Sequence, residues 1–142
     1  MVVTENTARV EVFQSIFSII NTNKLSGTTV LATFPEKSPT FPCYVLNSPE
    51  ITNDSLAFDT GSRQIDFTMN IEFFGDARDG MQKIDQMKDN VVASLRDSTN
   101  VASLKSDKIS IMNIEDDLND QVEFKEMKIN TGELSVQGVI LL

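Results

Sequence analysis

A chain of 142 residues with 12 basic and 21 acidic side chains, no histidine and a single cysteine excludes several classes of function before any motif is sought. Its net charge of −9 opposes a nucleic-acid surface, where clustered Lys and Arg must replace counterions, and the lack of histidine removes imidazole-based acid–base and triad chemistry. One domain spanning residues 1–142 is expected, long enough to bury roughly two thirds of its unfolded surface without a disulfide or metal.

The chain opens Met1-Val2-Val3-Thr4-Glu5-Asn6, with neither a basic segment nor an apolar one, and its apolar runs are short. A cytosolic protein with no membrane segment is expected. Thr7 to Ile20 places Val10, Phe13, Ile16, Phe17 and Ile20 on one helical stripe, and Asn6 or Thr7 can cap it. Its β-branched residues weaken intrinsic propensity, so this helix is expected to form by packing on a sheet. Asn21 to Gly27 ends it. Thr28 to Phe34 is β-branched enough for a strand that Pro35 closes. Phe41-Pro42-Cys43-Tyr44-Val45-Leu46 is a near-continuous apolar run, the pattern of a strand covered on both faces and a candidate for the sheet centre.

Asn47 to Asp54 is turn-rich. Leu56 and Phe58 then alternate up to Asp59-Thr60-Gly61-Ser62, so the segment from Asn47 to Gln64 reads as a projecting β-hairpin. The strongest signal follows. Ile65, Phe67, Met69, Ile71 and Phe73 alternate with Gln64, Asp66, Thr68, Asn70 and Glu72, which makes one face of a strand dry and the other wet. Asp76-Ala77-Arg78-Asp79 has the composition of a helix entry. The period then becomes helical, with Met81, Ile84, Met87, Val91 and Leu95 on one side and Gln82, Lys83, Asp85, Gln86, Lys88 and Asp89 opposite.

Arg96 to Asp107 is polar, with Val101 and Leu104 able to dock a short helical turn. Lys108 to Ile114 reads as a strand. Glu115, Asp116, Asp117 and Asp120 then concentrate charge in an acidic turn, and Val122 to Ile129 resumes with a change of phase at Lys125-Glu126 that suggests a bulge. Asn130-Thr131-Gly132-Glu133 reads as a hairpin turn before the alternation Leu134, Val136, Gly138, Ile140, Leu142. The fold expected is α+β: a mixed, mainly antiparallel sheet with two helices packed on one face and a projecting β-hairpin.

Little chemistry is visible. Cys43 lies among apolar neighbours and has no histidine to activate it, and the six glycines lack phosphate-loop spacing. The acidic cluster lacks the ligand order and central glycine of a calcium loop, so a solvated turn is expected there and no metal or cofactor. No enzyme is implied.

The order of elements resembles the tail terminator proteins of long-tailed bacteriophages, the lambda type. Phe41-Pro42-Cys43-Tyr44-Val45 is similar to that family's segment of phenylalanine, proline and hydrophobic strand. Arg63 to Phe74 resembles its central strand leading into the second helix, and Ile114-Glu115-Asp116-Asp117 before Glu133 to Leu142 resembles its acidic turn and closing strands. Across roughly residues 7 to 142 the resemblance implies a non-catalytic subunit of a homo-hexameric ring that caps the head-proximal end of the tail tube, ends polymerisation and offers a head-attachment surface. The implied partners are further copies of the chain, the tail tube protein and the head–tail connector proteins, with neither sequence-specific nucleic acid nor membrane. The implied place is the virion, after assembly in the host cytoplasm. Candidate interface residues are Asn53, Asp54, Ser55, Asp59, Thr60 and Arg63 in the hairpin and Glu115, Asp116, Asp117 and Asp120 in the acidic turn. A head–tail connector, or neck, protein and a non-viral cytosolic binding or assembly module stand as alternatives.

Overall fold

The segment of strict alternation becomes the spine of the molecule. The computed structural model describes residues 5–32, 40–56, 63–117, 119–124 and 127–141. In chain order these form α1 (Glu5–Asn23), β1 (Thr29–Leu31), β2 (Cys43–Leu46), β3 (Glu50–Leu56), β4 (Arg63–Asp76), α2 (Met81–Arg96), α3 (Ser98–Ser106), β5 (Ile109–Asp116), β6 (Asp120–Phe124) and β7 (Met127–Leu141). The fold is α+β, built on one seven-stranded mixed sheet in the order β1-β2-β4-β7-β5, with β3 also on β4 and β6 also on β7. Only the β1–β2 pairing is parallel among the described residues.

β4 and β7 are long antiparallel partners, in register from Gln64↔Leu141 to Asp76↔Ile129. Each is flanked on its outer side by two shorter strands placed end to end. β3 pairs with Arg63 to Thr68 and β2 with Ile71 to Phe74, while β5 pairs with Leu134 to Ile140 and β6 with Met127 to Thr131. The centre of the sheet is therefore β4–β7. The apolar run at Cys43–Leu46 is buried at every position as expected, but it lies second from an edge, because the three-residue β1 beyond it has no further neighbour among the described residues. Pro42 stands just before the strand, after a cis Phe41–Pro42 bond, where it removes no ladder donor.

The odd residues of β4 are the dry face. Ile65, Phe67, Met69, Ile71 and Phe73 share one core with Leu134, Val136 and Ile140 of β7 and with residues of all three helices. α2 keeps its expected stripe, with Ile84, Met87, Val91 and Leu95 buried. Lys88 is a correction: it belongs to the buried face of α2, with 4% of its surface exposed, because its stem packs against the sheet while its ammonium reaches the far end of β5. α1 is rotated from its expected stripe. Ala8, Val12, Ile16, Ile19 and Ile20 face the core, whereas Val10 is 54% exposed and Phe13 and Phe17 are only partly buried. Small Ala8 lets the helix approach closely, and Phe13 and Phe17 stack on each other at 5.6 Å at the margin. The hydroxyl of buried Tyr44 fastens the layers: it donates to Asn90 Oδ1 at 3.0 Å, and Asn90 Nδ2 donates to the Asn23 carbonyl at 2.8 Å.

Several boundaries differ from the sequence pattern for identifiable reasons. β4 runs on to Asp76, whose carboxylate accepts from the Arg78 N–H at 2.9 Å and caps a 3-10 turn at Ala77–Asp79. Gly80, at φ 75°, then redirects the chain into α2, a backbone angle that side chains disfavour. The expected polar link from Arg96 to Asp107 contains α3, begun by Asp97, which accepts from the N–H groups of Thr99 and Asn100; Leu104 docks it in the core. Glu50 to Asp54 is not a turn but part of β3. Thr33, Phe34 and Pro35, Phe58 and the hairpin tip, Lys125, Glu126 and Leu142 lie outside the described residues.

β6 and β7 pair antiparallel from Asp120↔Thr131 to Phe124↔Met127, and the bulge expected at Lys125-Glu126 falls outside the described residues. Asn130 to Glu133 is accordingly straight strand. Gly132 has a packing role, since a Cβ there would stand 2.5 Å from Ile84 Cγ2 and 2.8 Å from Lys88 Cε. The glycine lets α2 lie close against β7.

Phe67 sits mid-strand with 1% of its surface exposed, opposite Gly138, whose missing side chain leaves room for its ring. Phe67→Ala should lower unfolding free energy by about 3–5 kcal/mol, measured by denaturant unfolding. A loss below about 1 kcal/mol would show that this ring is not a keystone of the core.

Candidate functional site

The residues expected at interfaces fall into two separate groups. In the hairpin stem, Asn53, Asp54 and Ser55 belong to β3 and Arg63 starts β4. Arg63 Nε donates to Asp54 Oδ1 at 2.8 Å, and this hydrogen bond, with the guanidinium charge, holds the Asp54 carboxyl below its usual range. Asn53 Nδ2 reaches Asp66 at 3.5 Å, a weak contact at best. Asp59 and Thr60 lie outside the described residues.

The acidic group is not a simple turn. Glu115 and Asp116 are the last residues of β5, paired with Ser135 and Leu134, and Asp120 opens β6 opposite Thr131. Lys88 Nζ donates to Asp116 Oδ1 and, at 2.8 Å, to the Asp117 carbonyl, and the Asp117 N–H donates to the Glu133 carbonyl at 3.1 Å. One lysine thus draws two of these residues toward α2, while Glu115 points to the opposite side of the sheet. The two groups stand on opposite edges with β4 and β7 between them. They do not form one site. Among the described residues no three His, Cys, Asp or Glu side chains are grouped to hold a metal ion, and no helix is long and apolar enough to cross a membrane. Burial pushes the Cys43 thiol up to about 11, so at neutral pH it carries almost no thiolate, the reactive form.

Two surfaces that the sequence reading did not single out have more definite chemistry. The first is the open face of the sheet. All three helices contribute to the core on the other side, and this face carries Asp66, Glu72, Glu115 and Glu133 together with Asn70, Asn113 and Gln137. Its carboxylates are met by amides: Asn47 Nδ2 donates to Glu72 at 2.7 Å, Gln64 Nε2 to Asp66 at 2.8 Å and Asn113 Nδ2 to Glu115 at 3.2 Å. Glu72 and Glu133 are direct cross-strand partners, an arrangement of like charges that costs stability. Burial, then Asp117 and Glu72, push the Glu133 carboxyl above its ordinary range against the pull of Lys88. The even positions of the alternating strand already carried the polar half of this face; the glutamate pairing requires the β4–β7 register.

The second surface is the outer edge of β5. A groove of about 310 Å³ runs between this edge and the α2–α3 junction, lined in part by Arg96, Val101, Leu104, Lys105, Ile111 and Met112. Met112 occupies a break in the β5–β7 register, between Ile111 and Asn113, and is 69% exposed. A methionine in an otherwise alternating strand was its only mark in the sequence.

Glu133 binds a proton more tightly folded than unfolded, so its ionisation weakens the fold at neutral pH. This weakening disappears as pH falls through the raised folded value to below the ordinary carboxyl range. Glu133→Gln should therefore stabilise the protein at pH 7 by roughly 0.2–1 kcal/mol, an advantage that vanishes in acid; thermal melts across pH measure it. An advantage that grew on acidification would contradict the assignment. At the acidic strand ends, millimolar calcium should leave the melting temperature unchanged, because a ligand bound only to the folded state raises it by mass action.

Comparison with known proteins finds no family model that matches the chain and no significant match among curated proteins.

Proposed function

We propose that this chain is a structural subunit of a bacteriophage tail, the terminator that caps the head-proximal end of the tail tube as a homo-hexameric ring. The observation that carries the reading is the arrangement of the sheet: helices cover one face, while the edges at β3 and β5 have no further strand among the described residues. Such a body suits repetition, since two different surfaces on opposite sides of a subunit generate head-to-tail contacts, and head-to-tail contacts that close make rings. The order of elements supports the reading: a first helix, two strands, a third strand paired with the long alternating one, a second helix and closing strands. α3, between the second helix and the closing strands, is additional to that order.

Electrostatics agree in sign. A tail passes DNA through its bore, and a subunit of net charge −9 with an acidic, amide-lined sheet face repels phosphates in preference to gripping them. In this reading the ring contributes no catalysis and no cofactor. Its work is to occupy the growing end of the tube and present a surface to the head.

Assembly reactions lacking the protein should yield overlong tails or tails that fail to join heads, and adding the protein back should restore length and joining. Electron microscopy of the particles measures both. Tails of normal length that join heads without the protein would refute the terminator reading and leave a generic assembly module standing.

A further inference from the structure

The edge of β5, which no described strand covers, has a direction and a level, and both bear on what it can pair with. The Leu141 N–H donates to the Lys108 carbonyl at 2.9 Å, and the Asp117 N–H to the Glu133 carbonyl at 3.1 Å. Counting inward from these two bonds, with Met112 as the extra residue between them, turns the main-chain groups of Ser110, Asn113 and Glu115 toward β7. Those of Ile109, Ile111, Ile114 and Asp116 point outward. Among the described residues no strand lies on that side. An extended segment laid there gains main-chain hydrogen bonds and covers Met112 and the groove beside it.

We propose that this edge takes β3 of a second copy of the chain, continuing the sheet from one subunit to the next; the inference rests on the ring reading and names its contact. Direction supports it. β3 runs antiparallel to β4, β4 to β7, and β7 to β5, so β3 and β5 run in opposite senses. A head-to-tail repeat that keeps the subunits' orientation therefore sets β3 antiparallel to the neighbouring β5, the stronger pairing.

Level supports it as well. β3 spans the positions of Arg63 to Thr68, and β5, followed across β7, spans those of Ile65 to Ile71. The two edges also share an irregularity. The β3 register shifts at Thr52, beside Phe67, and that of β5 shifts at Met112, beside Gly138, while Phe67 and Gly138 are partners. Both edges thus take their extra local twist at one height, so they can lie side by side over their whole overlap.

Charge does not select the partner. Arg96 and Lys105 line the groove and exposed Lys108 stands at the same end of β5. Of the charged residues of β3, Asp54 is already held by Arg63 within its own subunit, and Glu50, the partner of Thr68, lies on the open face of the sheet, so a neutralised edge meets the groove. At this end of the groove Asp107 accepts from Ser15 Oγ at 3.1 Å and Asp97 caps α3, so both nearby acids are already engaged within the subunit.

The test is a pair of engineered thiols, Thr52→Cys with Met112→Cys, in the full chain; the native Cys43 is buried and does not compete. Oxidation should be carried out on the protein concentrated in solution and on the protein bound to tail tubes. A reducible ladder up to the hexamer from the double variant, with monomer only from each single variant, is the expected result. Dimers from Met112→Cys alone would show a two-fold contact between β5 strands and overturn the proposal. A ring seen by native mass measurement that yields no ladder overturns this contact while the ring reading survives; a chain that stays monomeric and unlinked in both settings overturns the contact and the ring reading together. A ladder from a protein whose removal leaves tail length and head joining unchanged supports the contact and sinks the terminator reading. Met112→Lys, with an unchanged melting curve, should weaken assembly about tenfold by placing a charge against Arg96 and Lys105; undiminished assembly would count against the pairing.

Discussion

The ladder between β4 and β7 is the constraint on which the molecule depends. It holds the two longest strands in unbroken register from Gln64↔Leu141 to Asp76↔Ile129, and every other strand attaches to one of them, directly or, for β1, through β2. Because side chains alternate across a strand, this single register also decides which residues are dry. A slip of one residue would bring Glu133 and Gln137 under the helices and expel Leu134 and Val136. Two glycines on β7 make the register compatible with its surroundings. Gly132 admits Ile84 and the stem of Lys88, and Gly138 leaves room for the ring of Phe67.

With one face committed to helices, the remaining surfaces divide the work. The open face gathers carboxylates held mainly by amides, a surface that stays soluble and rejects anions without presenting fixed cations. The edges carry main-chain groups that no strand among the described residues pairs, and such groups are the most adhesive feature a sheet has. Here the β5 edge stands beside a basic groove, and at the β3 edge Asp54 is held by Arg63. Such a division suits the assembly role we propose: the interior is closed and apolar, and the perimeter is left for contacts.

How much of this was legible in the sequence depended on whether the signal was local. The alternation from Ile65 to Phe73 and the stripe from Met81 to Leu95 identified a strand, a helix and the faces by which they meet, because periodicity reports burial directly. α1 was recognised but rotated, since Val10, Phe13 and Phe17 are as apolar as the residues that are buried, and only packing selects Ala8 and Val12. Lys88 looked like a surface residue because its ammonium is polar; the depth of its stem depends on Gly132, which is distant in sequence. Asn130 to Glu133 has turn composition, yet β4 supplies a partner for each of these residues and the strand persists. Of the candidate interface residues, composition marked out the hairpin stem and the acidic strand ends as segments. It gave no sign that two sheet strands separate them, and the β5 edge emerged only when three distant segments were brought together.

β7 follows every other described element in the chain and yet occupies the middle of the sheet. During synthesis, β4 can pair early with β2 and β3, but its other side stays open until the segment ending at Leu141 has left the ribosome. β5 and β6 have no partner of their own until then. The helices likewise lack half of the surface that they cover. The nascent chain therefore completes its core in one late step, with most contacts spanning long stretches of sequence, and the β5 edge becomes fixed in place only when that step is finished. Order of synthesis thus keeps the β5 edge from forming before β7, the strand that carries it, is in place.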